Sequence, residues 1–375
     1  MAERVIFSVR DLKVKVSSET NEEINTLLST TVVGSEGGMQ YTMRNIAARI
    51  ANYGQSIRFI SVHLKTSLAA VIGTVYRECS LGATNHSCTY LRFLSFRQQY
   101  QTEKFVAGKR RRKAENDRED SFRNQTLRIF GKPHLFDYTG VDEESRHLLY
   151  CFVEGKNIRS QNLIKQAGFQ YLSSFSTIPF SRFWPKSDRR VTVAKPEEYG
   201  EVLTQLRKFY SNYSFYFDNC AFHADSYYVL RENGRIIAGL SAVPTEYVIR
   251  NVPGAGGWIM MNILPFAPFF RRLFNPGLFR FVSLGYIFFE PGREDALSPL
   301  FETVCAVKGI NTALTWADIK STLNKSIISS VSLGTISRML NPKPGQVYVR
   351  FINYTEEDKK EFPDAPVYIS GFDFT

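Results

Sequence analysis

The chain has 375 residues, 43% hydrophobic and 22% charged, which suits one large or two ordinary domains and excludes wholesale disorder. Lys and Arg number 47 against 36 Asp and Glu, and the balance of +11 favours an anionic partner: nucleic acid, a phosphorylated cofactor or an anionic membrane surface. With no apolar run of spanning length, no secretory h-region and five scattered cysteines lacking a CxxC pair, a soluble cytoplasmic protein without membrane insertion, disulfide framework or bound metal is expected.

In chain order, a helix is predicted around Ile24, Leu27 and Leu28, behind the polar run 18–23. A second is predicted over 41–53, with Met43, Ile46, Ile50 and Tyr53 on one face and Gly54 closing it. Segments 57–64, 69–77 and 89–97 are rich in β-branched and aromatic residues and read as strands. Residues 98–120 read as a solvated insertion, in which a basic run at 109–113 adjoins Glu115, Asp117, Glu119 and Asp120. A helix over 121–130, a strand 148–154, a helix 158–167 and a strand 170–178 complete a first unit, residues 1–180.

Segment 179–190, with two prolines and four basic residues, reads as a linker centred on 181–190. The second unit, 191–375, repeats the order. Helix 196–210 precedes strands 227–230 and 236–243, which flank a hairpin signal at Glu232, Asn233, Gly234 and Arg235. Strand 281–289, helix 295–307, strand 311–316, helix 319–332 and strands 347–353 and 367–372 follow. This repetition predicts an α/β protein of two tandem domains, each a mixed central sheet with helices on both faces.

The most specific stretch is 148–169. A strand runs up to Asn157, a helix begins at once, Gly168 supplies its C-cap and Phe169 re-enters the core. This resembles the fourth-helix signature of the GNAT acyltransferase superfamily, in which an Asn closes the fifth strand, a small residue follows three later, and Gly-Phe eleven and twelve later. Asn157, Ser160, Gly168 and Phe169 stand on those positions. The motif is local, while the element order extends the likeness over both units. The resemblance implies a tandem GNAT protein: an N-acyltransferase moving an acyl group, expected to be acetyl, from acetyl-CoA or another acyl-CoA to a small-molecule or peptide amine by direct attack.

It also implies where the parts lie. Asn157 and Ser160 would stand beside two splayed strands, where the pantetheine arm pairs with backbone near Leu94, Ser95 and Phe96. Ser121, Asn124 and Gln125 would open the third helix and receive phosphate, or simply cap that helix. The basic run 109–113 would hold the ribose phosphate of CoA or contact nucleic acid, or remain a solvated loop. Glu154 is the carboxylate nearest the expected thioester and Tyr150 shares its strand face, so these two are the candidate catalytic residues; a rim carboxylate and a core tyrosine are the alternatives.

The chain departs from the family pattern in three places. Ile164 stands where the family often has a tyrosine acid, and the Q/R-x-x-G-x-G/A phosphate loop is absent after Arg97. The second unit offers only Glu290, Pro291, Gly292 and Arg293 for that loop, and Asn324 and Gly334 for the signature. An aminoacyl-tRNA-dependent transferase of tandem-GNAT type, or a non-catalytic protein binding acyl-CoA or a partner, are the other readings. Finally, segment 254–272 reads as a hinged apolar flap, lining an acyl or acceptor pocket, touching a membrane surface, or buried between the units. Pro265 and Pro268 weigh against a regular anchor helix there.

Overall fold

The computed structural model describes residues 3–35, 37–98, 127–223, 226–340 and 342–374. Leu12, Val14 and Val16 are buried and alternate with Lys13 and Lys15, a period of two that builds a hairpin of β1 (Arg4–Val9) and β2 (Leu12–Ser17). Helix α1 (Glu22–Thr30) is capped by Asn21, whose side chain accepts from the Ile24 N–H at 2.8 Å. The helix expected over 41–53 is shorter. Residues 40–43 form strand β3 (Gln40–Met43), Asn45 takes a left-handed φ of 53°, and only Ile46–Ala51 is helical, as α2. The reason is tertiary: β3 pairs with a strand some two hundred positions later, where Tyr41 stacks on Tyr247 at 4.2 Å between ring centroids.

Strands β4 (Ile57–Leu64), β5 (Ser67–Leu81), β6 (Thr84–Phe96) and β7 (His147–Val153) follow, then helix α3 (Ile158–Gln166) and β8 (Gln170–Ser181). Strand β8 runs through Pro179, which pairs with Leu314, so the linker expected from 179 begins only after Ser181. Next come β9 (Val191–Val193), α4 (Tyr199–Phe209), β10 (Tyr227–Glu232) and β11 (Arg235–Asn251), the last two joined by Asn233 and Gly234, both at positive φ. Helices α5 (Gly254–Asn262) and α6 (Pro268–Arg271) lead into β12 (Phe279–Phe289). Then α7 (Leu297–Lys308), β13 (Thr312–Asp318), α8 (Thr322–Ser330), α9 (Thr335–Met339) and β14 (Gly345–Ile352) complete the order.

These strands form one 14-stranded mixed sheet with helices on both faces, ordered β1-β2-β4-β5-β6-β7-β14-β8-β13-β12-β11-β10-β9, with β3 added beside β11. Two adjacent pairs are parallel, β6 with β7 and β12 with β13. The halves exchange strands: β14 lies between β7 and β8, while β8 lies against β13. One apolar core covers a face of each half, and a third spans both.

The strand expected at 367–372 does not form. Val367 makes a single bridge to Ser214, and Gly371–Phe374 is a 3-10 turn inside the shared core. Side chains replace the ladder: Asp318 accepts from the Val367 N–H at 3.0 Å, and the Ser283 hydroxyl donates to Gly371 O at 2.8 Å. Among the described residues no helix is long and apolar enough to cross a membrane.

Candidate active site

Each half opens a gap in the sheet by the same device. The last parallel pairs are Leu91 with Cys151 and Leu284 with Thr315, yet all four strands continue beyond them. Just past these pairs β6 and β12 each carry a bulge, where the antiparallel register shifts by one residue. Phe93 sits there at φ 56° and Tyr286 at φ 48°, a left-handed conformation that bulky side chains rarely adopt. A bulge turns backbone groups away from the ladder and leaves them for another partner.

In the second half the chain itself supplies the partners. The Tyr210 hydroxyl donates to Ile287 O at 2.6 Å and that of Tyr227 to Tyr286 O at 2.9 Å. The C-terminal segment packs so closely that a Cβ on Gly371 would lie 2.4 Å from Leu284 O. In the nearby loop, Arg293 is neutralised by Glu232 at 2.8 Å and Asp295 at 3.1 Å, and Glu290 by Arg235 at 2.8 Å.

In the first half, no side-chain donor among the described residues reaches the backbone of residues 92–95. Arg92 lies buried beside the bulge, its guanidinium over the Phe93 ring at 3.8 Å and the Tyr53 ring at 5.0 Å, and its Nη1 has no partner. Burial pulls this guanidinium down to about 10, with Asp373 opposing and Arg49 adding to the effect; it stays a cation at neutral pH. Arg49 donates to Arg44 O and Glu246 O and likewise leaves a buried Nη1 unpartnered.

The C-terminal segment forms another wall. Asp373 makes a two-pronged ion pair with Arg77, one contact being 2.8 Å from Nη1 to Oδ2. Arg77 also donates to the Tyr150 hydroxyl at 2.9 Å and lies over the Phe217 ring at 4.0 Å. Burial works against the Arg77 cation, but Asp373 and Tyr150 together hold the pKa well above its ordinary value. Phe374 stacks on Trp316 at 4.2 Å and on Phe152 at 5.8 Å, and its carbonyl accepts from Tyr247.

The residues expected to serve the site are distributed as follows. Leu94, Ser95 and Phe96 form the bulged end of β6, with Leu94 37% exposed and Ser95 buried opposite Val71. Tyr150 is buried in the shared core, and burial drives its phenol well above the ordinary range, with Arg77 opposing. Glu154 lies one residue beyond β7, where its carboxylate accepts from the Ser35 N–H at 2.9 Å and hydroxyl at 2.8 Å. Asn157 and Ser160 meet through the N-cap of α3, where the Asn157 side chain accepts from the Ser160 N–H at 3.0 Å. Ile164 faces the core, and burial pushes the Cys151 thiol up to about 12, which leaves it inert. Ser121, Asn124, Gln125 and the basic run 109–113 lie outside the described residues.

Arg77, Arg92 and Asp373 were not singled out from sequence, and Tyr53 only as part of a helical face. The available signal was an arginine at inward positions of two otherwise apolar strands, which burial makes costly without a purpose.

No protein-family model matches the chain, and no curated protein matches it in sequence. Its fold is similar to that of N-myristoyltransferase from Saccharomyces cerevisiae with bound myristoyl-CoA. One such crystal structure gives a TM-score of 0.56 at 10% identity, covering 98% of this chain and 90% of that one. Another gives 0.55 at 11%, covering 94% and 85%. Identity this low carries the fold alone, and the likeness extends over both halves.

Proposed function

We propose that this chain, built on a GNAT-type fold, is an acyl-CoA-dependent N-acyltransferase that takes its acyl-CoA in the first-half gap between β6 and β7. The observation that carries this reading is the contrast between two alike gaps. Both have the splayed pair and the bulge with a left-handed aromatic residue, but the second is filled by Tyr210, Tyr227 and the C-terminal segment. The first keeps the backbone of residues 92–95 free of described side-chain donors, and beside it the buried Nη1 of Arg92 has no hydrogen-bond partner.

In this reading the amides of the pantetheine arm pair with backbone at Leu94, Ser95 and Phe96. The thioester carbonyl lies at the bulge, where N–H groups and the Arg92 cation oppose the charge that develops on oxygen. The amine enters as the free base, its nitrogen forms the C–N bond, the C–S bond breaks, and the ammonium proton passes to the departing thiolate. Tyr150 acts through Arg77, and Glu154 through Ser35, as positioning residues rather than proton carriers.

The yeast enzyme binds myristoyl-CoA, and the likeness to it along nearly the whole chain favours a chain longer than acetyl. The acceptor proposed is a peptide or small-molecule amine. Calorimetric titration with CoA, acetyl-CoA, octanoyl-CoA and myristoyl-CoA tests this. Saturable binding that tightens with chain length is expected. Equal affinity for acetyl-CoA would overturn the chain-length assignment, and no binding of any acyl-CoA would overturn the reading itself.

A further inference from the structure

Among the described residues, every exposed tryptophan and phenylalanine lies in one place. Phe266 is 84% exposed, Trp258 and Phe269 are 59% each, and Ile263 is 48%, all on the flap that carries α5 and α6. Trp184, 63% exposed just after β8, joins them by an edge contact with Phe269 at 6.0 Å. The flap is not loosely hung. Met260, Leu264, Leu273 and Phe274 are buried beneath it, and Gly256 packs so closely on α9 that a Cβ there would lie 3.0 Å from Met339 O. Of the locations expected for this segment, burial between the halves is therefore not the one adopted.

The flap's own charge has one sign, while acids stand only at its margins: Glu246 pairs with Arg280 at 3.4 Å, and Glu302 accepts from the Lys186 N–H at 3.0 Å. From Tyr247 to Phe289 the sequence contains no Asp or Glu, but does contain Arg250, Arg271, Arg272 and Arg280. Arg271 and Arg272 are exposed at the edge of the apolar surface, as are Lys186 beside Trp184 and Arg338 on α9. Bulky aromatic side chains ringed by arginine suit the boundary between lipid headgroups and acyl chains, where rings sit in the interface and cations meet anionic headgroups. A protein partner of mixed charge would gain less from a flap whose own charged residues are all arginine.

Strand directions place this surface. From β6 through β7, β14, β8 and β13 to β12, the alternation of parallel and antiparallel pairs makes β12 run opposite to β6. The start of β12, where the flap returns, is therefore at the same end of the sheet as the bulged end of β6.

We propose that the flap formed by residues 254–272, together with Trp184, is a peripheral docking surface for an anionic lipid bilayer. Docking sets the first-half gap next to the membrane interface, where long-chain acyl-CoA partitions; that consequence, unlike the docking, rests on the function proposed above.

The test is vesicle co-sedimentation of the full chain without acyl-CoA, using phosphatidylcholine vesicles with or without phosphatidylserine. Binding to the phosphatidylserine vesicles, weakened by salt and accompanied by a blue shift of tryptophan emission, is expected. The double variants Phe266→Ser/Phe269→Ser and Arg271→Gln/Arg272→Gln should each bind roughly tenfold or more weakly, with unchanged circular dichroism. No binding to either vesicle, equal binding to both, or undiminished binding of the variants would overturn the proposal. So would a dimer by light scattering that Phe266→Ser/Phe269→Ser converts to monomer, since the occupant would then be a second copy.

Discussion

Replacing Asp373 by asparagine should strand a charge in the interior. The Arg77 and Asp373 side chains are 3% and 1% exposed, so neither water nor salt screens the pair to any extent. Removing one partner of such a pair costs about 3–5 kcal/mol, most of it the penalty of the uncompensated charge left behind. The Tyr150 hydroxyl remains as an acceptor, and the Phe217 and Tyr90 rings face the guanidinium at 4.0 and 5.1 Å. Those contacts are present in the parent as well and do not offset the loss, so about 3–5 kcal/mol is expected for Asp373→Asn. Arg77→Met/Asp373→Asn removes both charges and should lose clearly less than the sum of the two single variants, since no buried charge is left without its partner. Urea unfolding of the parent, both single variants and the double variant closes the cycle. Asp373 also anchors the segment that carries Phe374 to the gap, so acyl transfer should fall in the single variant. A single-variant loss below about 1 kcal/mol, or a double variant showing the sum of the two singles, would refute this reasoning.

Three further outcomes are expected. Arg92→Met removes a buried cation whose Nη1 has no hydrogen-bond partner, so stability should change little while kcat falls about a hundredfold, the scale of a lost oxyanion donor; an unchanged kcat in steady-state assays would remove Arg92 from the chemistry. Glu154→Gln keeps an acceptor for Ser35 and should leave transfer within roughly tenfold of the parent, whereas a loss of about a thousandfold, as for a missing general base, would return Glu154 to a catalytic role. His147 is buried neutral between the hydroxyls of Ser87 and Thr89, each at 2.8 Å, and burial lowers its pKa to about 4. Its unfolded value lies near 6.5, so its contribution is complete above about pH 6.5 and is lost as pH falls towards 4, by about 3 kcal/mol in all. Urea unfolding across that range should show a flatter acid limb in His147→Gln, and an equally steep limb would contradict the assignment.

Local signals were legible where a local cause decided the structure. Asn21 and Gly168 cap helices where the polar and glycine signals put them, and the strands read from β-branched runs at 57–64 and 281–289 form as β4 and β12. Reading failed where a distant partner decided. Tyr41 and Met43 fit a helical stripe, but pairing with Tyr247 and its neighbours makes them a strand. The alternating hairpin at 4–17 gave no expectation because charged residues fill its outward positions. Segment 367–374 has strand-like composition, yet side chains from Asp318 and Ser283 bind its backbone instead. The exchange of β8 and β14 has no local signature, since it arises from which edge each last strand meets. The family resemblance pointed to Leu94, Ser95 and Phe96, and these residues form the bulged end of β6. The ion pair of Arg77 with Asp373 joins positions 296 residues apart and could not be read from spacing.

Hydrogen–deuterium exchange with and without myristoyl-CoA tests the central claim most directly, because it asks which gap the ligand enters. Protection is expected in residues 92–96 and 151–160, at the bulged end of β6, the end of β7 and the start of α3, with 284–293 unchanged. Protection of 284–293 with the first gap unaffected, or no protection anywhere, would contradict the account.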